Sequence, residues 1–184
     1  MSIVGNTLLN EIIHQKNMNK PGDILLELHK GVKEALSRNE TESQRRDGMD
    51  IALCAVYKDG SKVEYAGANR PLWIYRKKND FRGEVIKATK YPIGGLELEE
   101  ERNYINHVLE TEKGDRLYIF SDGFADQFGG PKGKKLMVAN MHKLINEVIN
   151  EPAVDQKKKI KNTFDSWRGR HEQVDDVLVI GIKI

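Results

Sequence analysis

The stretch KGDRLYIFSDGFADQFGG, Lys113–Gly130, decides the reading of the fold. RLYIF at Arg116–Phe120 is a short apolar run entered through a Lys113-Gly114-Asp115 turn, which is the pattern of a buried strand. It passes without a spacer into SDGFAD, Ser121–Asp126. There Gly123 permits an unusual backbone path directly after the carboxylate of Asp122. Asp126 follows four residues after Asp122, and a helical turn at this point places both acids on one side.

A second strongly apolar run, VLVIGIKI at Val177–Ile184, follows Asp175 and Asp176. RLYIF and VLVIGIKI both require burial, and each has a carboxylate just outside its apolar residues. Pairing the two strands gathers Asp122 and Asp175 at a common sheet end. Carboxylates brought together beside a low-dielectric sheet interior need cations or hydrogen bonds to compensate them. Oxygen donors without thiolates suit a hard ion, Mg²⁺ or Mn²⁺. The competing reading makes Asp122 a helix cap and leaves Asp126 facing water. Successive strand residues point to opposite faces, so Asp175 and Asp176 are not both expected to bind the same ion, and it is the resemblance given below that selects Asp175 and leaves Asp176 to the turn or to supporting contacts.

Working outward, Ser2 to about Lys16 has helical spacing, with Ile3, Leu8, Leu9, Ile12 and Ile13 on one broad face. A turn at Asn17–Asn19 precedes a second helix with Pro21 in its first turn and Ile24, Leu25, Leu28, Val32 and Leu36 along it. The polar stretch Ser37–Arg46 reads as a loop. IALCAVY at Ile51–Tyr57, the Asp59-Gly60 turn and KVEYAGA at Lys62–Ala68 predict an antiparallel hairpin. Strands are expected at Leu72–Arg76, Gly83–Thr89 and within Asn103–Glu110. PIGG at Pro92–Gly95 reads as a loop, and helices are expected over Leu136–Ile149 and Pro152–Phe164. One α+β or layered α/β domain over residues 1–184 is the expected organisation.

Composition excludes several classes. The 184 residues carry 39% hydrophobic and 32% charged side chains, a globular mixture, and the formal net charge of +2 gives no general drive toward nucleic acid or anionic membrane. No run approaches the roughly 18 apolar residues that span a bilayer, and the start of the chain lacks the pattern of a signal peptide. The single cysteine, Cys54, lies in a strand pattern and reads as a core thiol, which fits a reducing, cytoplasmic setting. The five histidines show no zinc spacing. GGPKGKK at Gly129–Lys135 lacks the spacer and the Ser or Thr of a phosphate-binding loop, and reads as a mobile, basic rim. The basic runs at Gln156–Lys161 and Arg168–Arg170 read as solvated helix faces. Trp73 and Tyr75 read as core or protein contact, not as a base-stacking platform.

The ordered segments MSIVGNTLLNEI, DGMDIALCAVY, KVEYAGANRPLWIY, PIGG, KGDRLYIFSDGFADQFGG and DDVLVIGIKI together resemble the SpoIIE-like serine phosphatases, a bacterial branch of the metal-dependent type 2C protein phosphatases. The resemblance implies an α+β layered sandwich of two antiparallel β-sheets flanked by helices, with its site at one edge. It implies that Asp122 and Asp175 are the acidic ligands and catalytic carboxylates, that Asp126 supports a further or water-mediated metal contact, and that Gly123 lets the first loop approach. The family also carries, ahead of the first helix, a strand with an acidic residue and an Asp-x-x-Gly-His-Gly loop whose aspartate bridges two metals. This sequence has no counterpart of either, so the resemblance implies an N-terminally incomplete fold that is weak or inactive as a phosphatase and holds Mn²⁺ or Mg²⁺ weakly. An uncovered strand edge would then favour self-association. The implied substrate is phosphoserine or phosphothreonine on a regulatory protein such as an anti-sigma factor antagonist, with sensory or receiver domains in longer relatives. Lys132, Lys134 and Lys135 suit a rim that attracts a phosphoprotein. The rival reading is a catalytically incompetent pseudophosphatase serving as a protein-interaction module.

Overall fold

The computed structural model describes residues 2–16, 18–39, 48–95 and 102–184. The elements in chain order are α1 (Ser2–His14), α2 (Pro21–Asn39), β1 (Gly48–Met49), β2 (Ile51–Val56), β3 (Lys62–Ala68), β4 (Leu72–Arg76) and β5 (Arg82–Ile86). They continue with β6 (Ile93–Gly94), β7 (His107–Glu110), β8 (Arg116–Phe120), α3 (Gly123–Asp126), β9 (Phe128–Gly129), β10 (Lys134–Lys135), α4 (Val138–Val148), α5 (Ala153–Arg168) and β11 (Val179–Lys183). The chain is thus an α+β fold of antiparallel sheets and helices, as expected. No helix among the described residues is long and apolar enough to cross a membrane. Two compact units are present: Met1–Leu72 with Val85–Lys113, and Trp73–Glu84 with Gly114–Ile184.

In the first unit β2, β3 and β7 form an antiparallel sheet with β3 central, and Cys54 stands opposite Tyr65 in the hairpin register. The three- and four-residue spacing of Leu25, Leu28, Val32 and Leu36 gives α2 one apolar stripe, which is buried with Ala66 and Ala68 of β3. Pro21 opens α2, where its missing N–H costs nothing. The next N–H, that of Gly22, donates to Asn106 Oδ1 at 3.1 Å, so a residue far along the chain satisfies the buried helix start. His29 is buried on the same helix and its Nδ1 accepts the Gly94 N–H at 3.1 Å. Cys54 is half-buried and not a core residue, and desolvation pushes its thiol up to about 12, consistent with an unreactive cysteine.

Asn106 also donates to Glu64, and this network carries a pH dependence. Glu64 accepts hydrogen bonds from Asn106 Nδ2 at 2.9 Å and Tyr57 Oη at 2.8 Å, and Lys62 Nζ lies 3.1 Å away. These partners hold its carboxyl at about 2, below the ordinary 4.5. A depressed folded pKa gives stabilisation that is full above the unfolded value and fades as pH falls through the folded one. Glu64→Gln is expected to cost about 1–2 kcal/mol at neutral pH, with the gap from the wild type narrowing between pH 4.5 and about pH 2. Urea unfolding of both chains across that window checks it; a gap independent of pH would count against the network.

The second unit has a four-stranded sheet in the order β11–β8–β4–β5, with β8 antiparallel to both β11 and β4. Trp73, Tyr75, Tyr118 and Phe120 from this sheet share a core with Met141 and Ile145 of α4 and Phe164 of α5. The expectation that Trp73 and Tyr75 are core residues holds. Asp115, 1% exposed, accepts the Lys77 N–H at 2.8 Å and faces Arg76 Nη1 at 3.3 Å, so the turn that introduces β8 is tied to the end of β4.

Several local expectations change. PIGG is not simply a loop, because Ile93 and Gly94 pair antiparallel with Met49 and Gly48. The polar stretch after α2 begins as helix through Asn39, and its remainder lies outside the described residues. Ile3 is 84% exposed and leaves Ile12, at 2%, as the buried anchor of α1. Helix and strand ends shift by a few residues elsewhere, as expected where capping and not periodicity fixes the boundary.

Candidate functional site

The two apolar runs that flank the acids are neighbouring strands. β8 and β11 pair antiparallel with Phe120 opposite Val179 and Ile119 opposite Ile180. Ser121 continues the ladder: its N–H donates to Leu178 O at 3.0 Å. Its Oγ accepts the Leu178 N–H at 2.9 Å and donates to Asp176 O at 2.8 Å, across 55 positions of sequence. One small side chain therefore clasps the loop that follows β8 to the loop that precedes β11.

Gly123 stands where the loops touch. It is the first residue of α3, in helical conformation, so an unusual backbone path is not its role. A Cβ at this position would lie 2.4 Å from Asp176 O and 3.3 Å from the Asp175 carbonyl carbon. The glycine is required by the close approach of the two loops.

Asp122 occupies the position ahead of α3 with φ −72° and ψ −23°, and its side chain makes no capping hydrogen bond to that helix. The cap reading is not realised. Its carbonyl accepts the Asp126 N–H at 2.9 Å, closing the short helix. The Asp126 carboxylate pairs with Lys135 Nζ at 3.0 Å. Asp175 is exposed, and its Oδ1 accepts the Asp176 N–H at 2.7 Å. Thus the backbones bearing Asp122 and Asp175 meet at the Ser121–Gly123 contact, while Asp126 turns to the neighbouring hairpin.

That hairpin is the stretch read as a mobile, basic rim. Phe128–Gly129 pairs antiparallel with Lys134–Lys135, and Lys135 is engaged by Asp126. Lys132 and Lys134 are exposed.

Reading the sequence missed Ser121, Gln127 and Trp167 as site-building residues. Gln127 is fully buried; its Nε2 donates to Phe128 O at 2.9 Å and to Glu172 O at 2.8 Å, fixing the segment that leads to Asp175. The Gln127 carbonyl accepts Trp167 Nε1 at 3.1 Å, and the Trp167 carbonyl accepts the Gly130 N–H at 2.7 Å. A Cβ on Gly129 would lie 1.8 Å from that same carbonyl. The available signal was QFGG directly after the acidic loop, a polar side chain and two glycines where a surface loop needs neither.

The donors present suit a hard cation in type, since carboxylate and carbonyl oxygens meet at one strand end. They fall short in number: among the described residues no group of three or more His, Cys, Asp or Glu is gathered to hold a metal. A dinuclear centre is not assembled from these side chains alone.

The antiparallel sheets, the helices and the acidic loops at the β8–β11 end together define a type 2C protein phosphatase-like domain. The chain belongs to the family described as Stage II sporulation protein E (SpoIIE), whose model matches residues 1–184. Among solved structures it is similar to the SiaA-PP2C domain of Pseudomonas aeruginosa, with 21% identity, coverage of 100% of this chain and 68% of that one, and a TM-score of 0.84. It is also similar to RsbX in complex with magnesium, with 12% identity, coverage of 96% and 71%, and a TM-score of 0.59. A curated protein of Pelagibacter ubique named acetylglutamate kinase is 29% identical across 78% of this chain. The chain spans about half, 51%, of that relative's length, and no activity is carried over from its name.

Proposed function

We propose that this domain acts on phosphoserine or phosphothreonine of a regulatory protein as a metal-dependent phosphatase, with Asp122 and Asp175 as the acidic ligands and Asp126 as a supporting carboxylate. The observation that carries the reading is the clasp of Ser121 and Gly123 onto Asp176, which holds two aspartate-bearing loops at one end of the β8–β11 pair. Magnesium in the RsbX complex supports a hard divalent cation, Mg²⁺ or Mn²⁺. When bound, such an ion neutralises phosphoryl oxygens and acidifies water. The chain's own contribution is to hold two carboxylates on a rigid strand end and to keep Asp126 neutralised by Lys135, with Lys132 and Lys134 available to an anionic substrate. A phosphorylated anti-sigma factor antagonist fits that surface chemistry, and a cytoplasmic setting with sensory or receiver domains in a longer protein belongs to the same reading.

The shortfall of ligands favours low activity for these 184 residues and supports, as a second reading, a pseudophosphatase that binds partners through the same surface. Manganese-stimulated release of phosphate from p-nitrophenyl phosphate and from a phosphoserine peptide is expected to stay near background. Robust turnover that vanishes in Asp122→Asn would overturn the low-activity part and uphold the phosphatase. Robust turnover untouched by that substitution would overturn both.

A further inference from the structure

The hairpin β9–β10, which follows the acidic loop, is held rigidly. The Gly133 N–H donates to Gly130 O at 3.2 Å and closes a turn with Pro131 and Lys132 at its centre, where the proline ring fixes one backbone angle in advance. Gly130 and Gly133 have φ of +66° and +56°, the left-handed region that glycine enters without strain. The base of the hairpin is seated on α5. Gly129 and Gly130 leave room for the Trp167 carbonyl and indole ring, which a Cβ at these positions would meet at 1.8 Å and 2.9 Å. The Gly130 N–H bond to Trp167 O and the Trp167 Nε1 bond to Gln127 O complete the seat.

Three lysines ride on this support in unequal states. Lys135 pairs with Asp126 at 3.0 Å, whereas Lys132 and Lys134 are exposed and form no ion pair among the described residues. The His171 ring lies beside the tip, its Cε1 3.7 Å from where a Gly133 Cβ would stand. Cations held on a preorganised turn lose less freedom on binding than cations on a flexible loop. Under the turn a groove of about 430 Å³ is lined by Gly130, Pro131, Asn162, Thr163, Ser166 and Trp167. These residues offer hydrogen-bonding side chains and an indole but no charge, which suits a peptide backbone, and the cations stand on the adjoining turn.

We propose that this turn and groove dock an extended, acidic segment of the phosphoprotein substrate, a few residues away from the phosphorylated residue itself. The proposal rests on the phosphatase reading and adds the substrate class, a phosphoserine or phosphothreonine flanked by glutamates or aspartates. Lys135 is tied to the acidic loop through Asp126, and Lys132 stands three residues from it, at most about 10 Å along the backbone. A substrate carboxylate therefore meets Lys132 and Lys134 while the phosphoryl group lies at the strand end.

The probe is a fluorescein-labelled dodecapeptide of alternating serine and glutamate, with matched versions carrying glutamine or lysine in place of glutamate. Fluorescence anisotropy is read at low ionic strength in the presence of EDTA, so neither metal nor turnover enters the measurement. The glutamate peptide is expected to bind saturably, about fivefold or more tightly than the glutamine version, and the lysine version not at all. Lys132→Glu combined with Lys134→Glu should weaken binding about fivefold or more while circular dichroism reports an unchanged fold. Lys157→Glu combined with Lys158→Glu makes the same change in net charge at exposed positions of α5 and should leave the affinity within about twofold of the wild type. Thr163→Phe, at an exposed position, fills the groove without altering charge and should weaken binding about threefold or more. Equal binding of the glutamate and glutamine peptides, full binding to the Lys132 and Lys134 variant, equal loss in the Lys157 and Lys158 variant, or full binding to Thr163→Phe would each overturn the proposal. A DNA duplex that binds this surface more tightly than the glutamate peptide would assign it to nucleic acid and overturn it as well. The phosphatase reading is decided by turnover of Asp122→Asn and this proposal by binding without metal, so failure of the one is distinguished from failure of the other.

Discussion

Gly123→Ala should destabilise the chain by about 3 kcal/mol, a fall of roughly 6–12 °C in Tm for a protein of this size. The sign is the informative part. Gly123 is helical, and a helical glycine with space around it gains up to about 1 kcal/mol on becoming alanine. Here the added methyl would sit 2.4 Å from the Asp176 carbonyl oxygen, and a backbone atom cannot move aside as a flexible side chain can. Relief requires parting the two loops, which also strains the Ser121 bonds to Asp176 and Leu178, each contributing about 0.5–1.5 kcal/mol. Thermal unfolding of the two chains measures the outcome; an unchanged or raised Tm would mean that the loops are not held in contact.

Phe124→Ala should cost about 3–5 kcal/mol, the range for deleting a buried aromatic side chain. Phe124 is 1% exposed and its ring lies 5.3 Å, centroid to centroid, from that of Phe164 on α5. It is the residue that fastens the acidic loop to the core: Asp122 precedes it by two positions and Asp126 follows by two. Loss of the ring leaves a cavity under α3, so metal affinity should fall together with stability. Urea denaturation checks the first part, and a loss below about 1 kcal/mol would show that the loop is anchored elsewhere.

Much of this was legible in the sequence because the signals were local. RLYIF and VLVIGIKI announced strands, and their shared need for burial gave the pairing that the register confirms. The period of Leu25, Leu28, Val32 and Leu36 gave α2 its buried face. What stayed hidden depends on contacts between distant positions. Ser121 drew no attention beside Asp122, because its value lies in bonds to residues far along the chain. The helical state of Gly123 replaced the conformational explanation with a steric one for the same reason. Lys135 was read as a free rim charge, since nothing in a linear pattern shows that a short hairpin folds it back to Asp126. PIGG was read as a loop because a two-residue strand carries no periodicity to detect.

The central claim is that pairing of β8 with β11 creates one acidic site from Asp122 and Asp175. Calorimetric titration of the folded chain with Mn²⁺ and Mg²⁺, repeated on Asp122→Asn and Asp175→Asn, tests it most directly. The expected result is weak, saturable binding to the wild type that falls at least tenfold in each variant. Equal responses from all three chains, or loss in only one variant, would contradict a shared site.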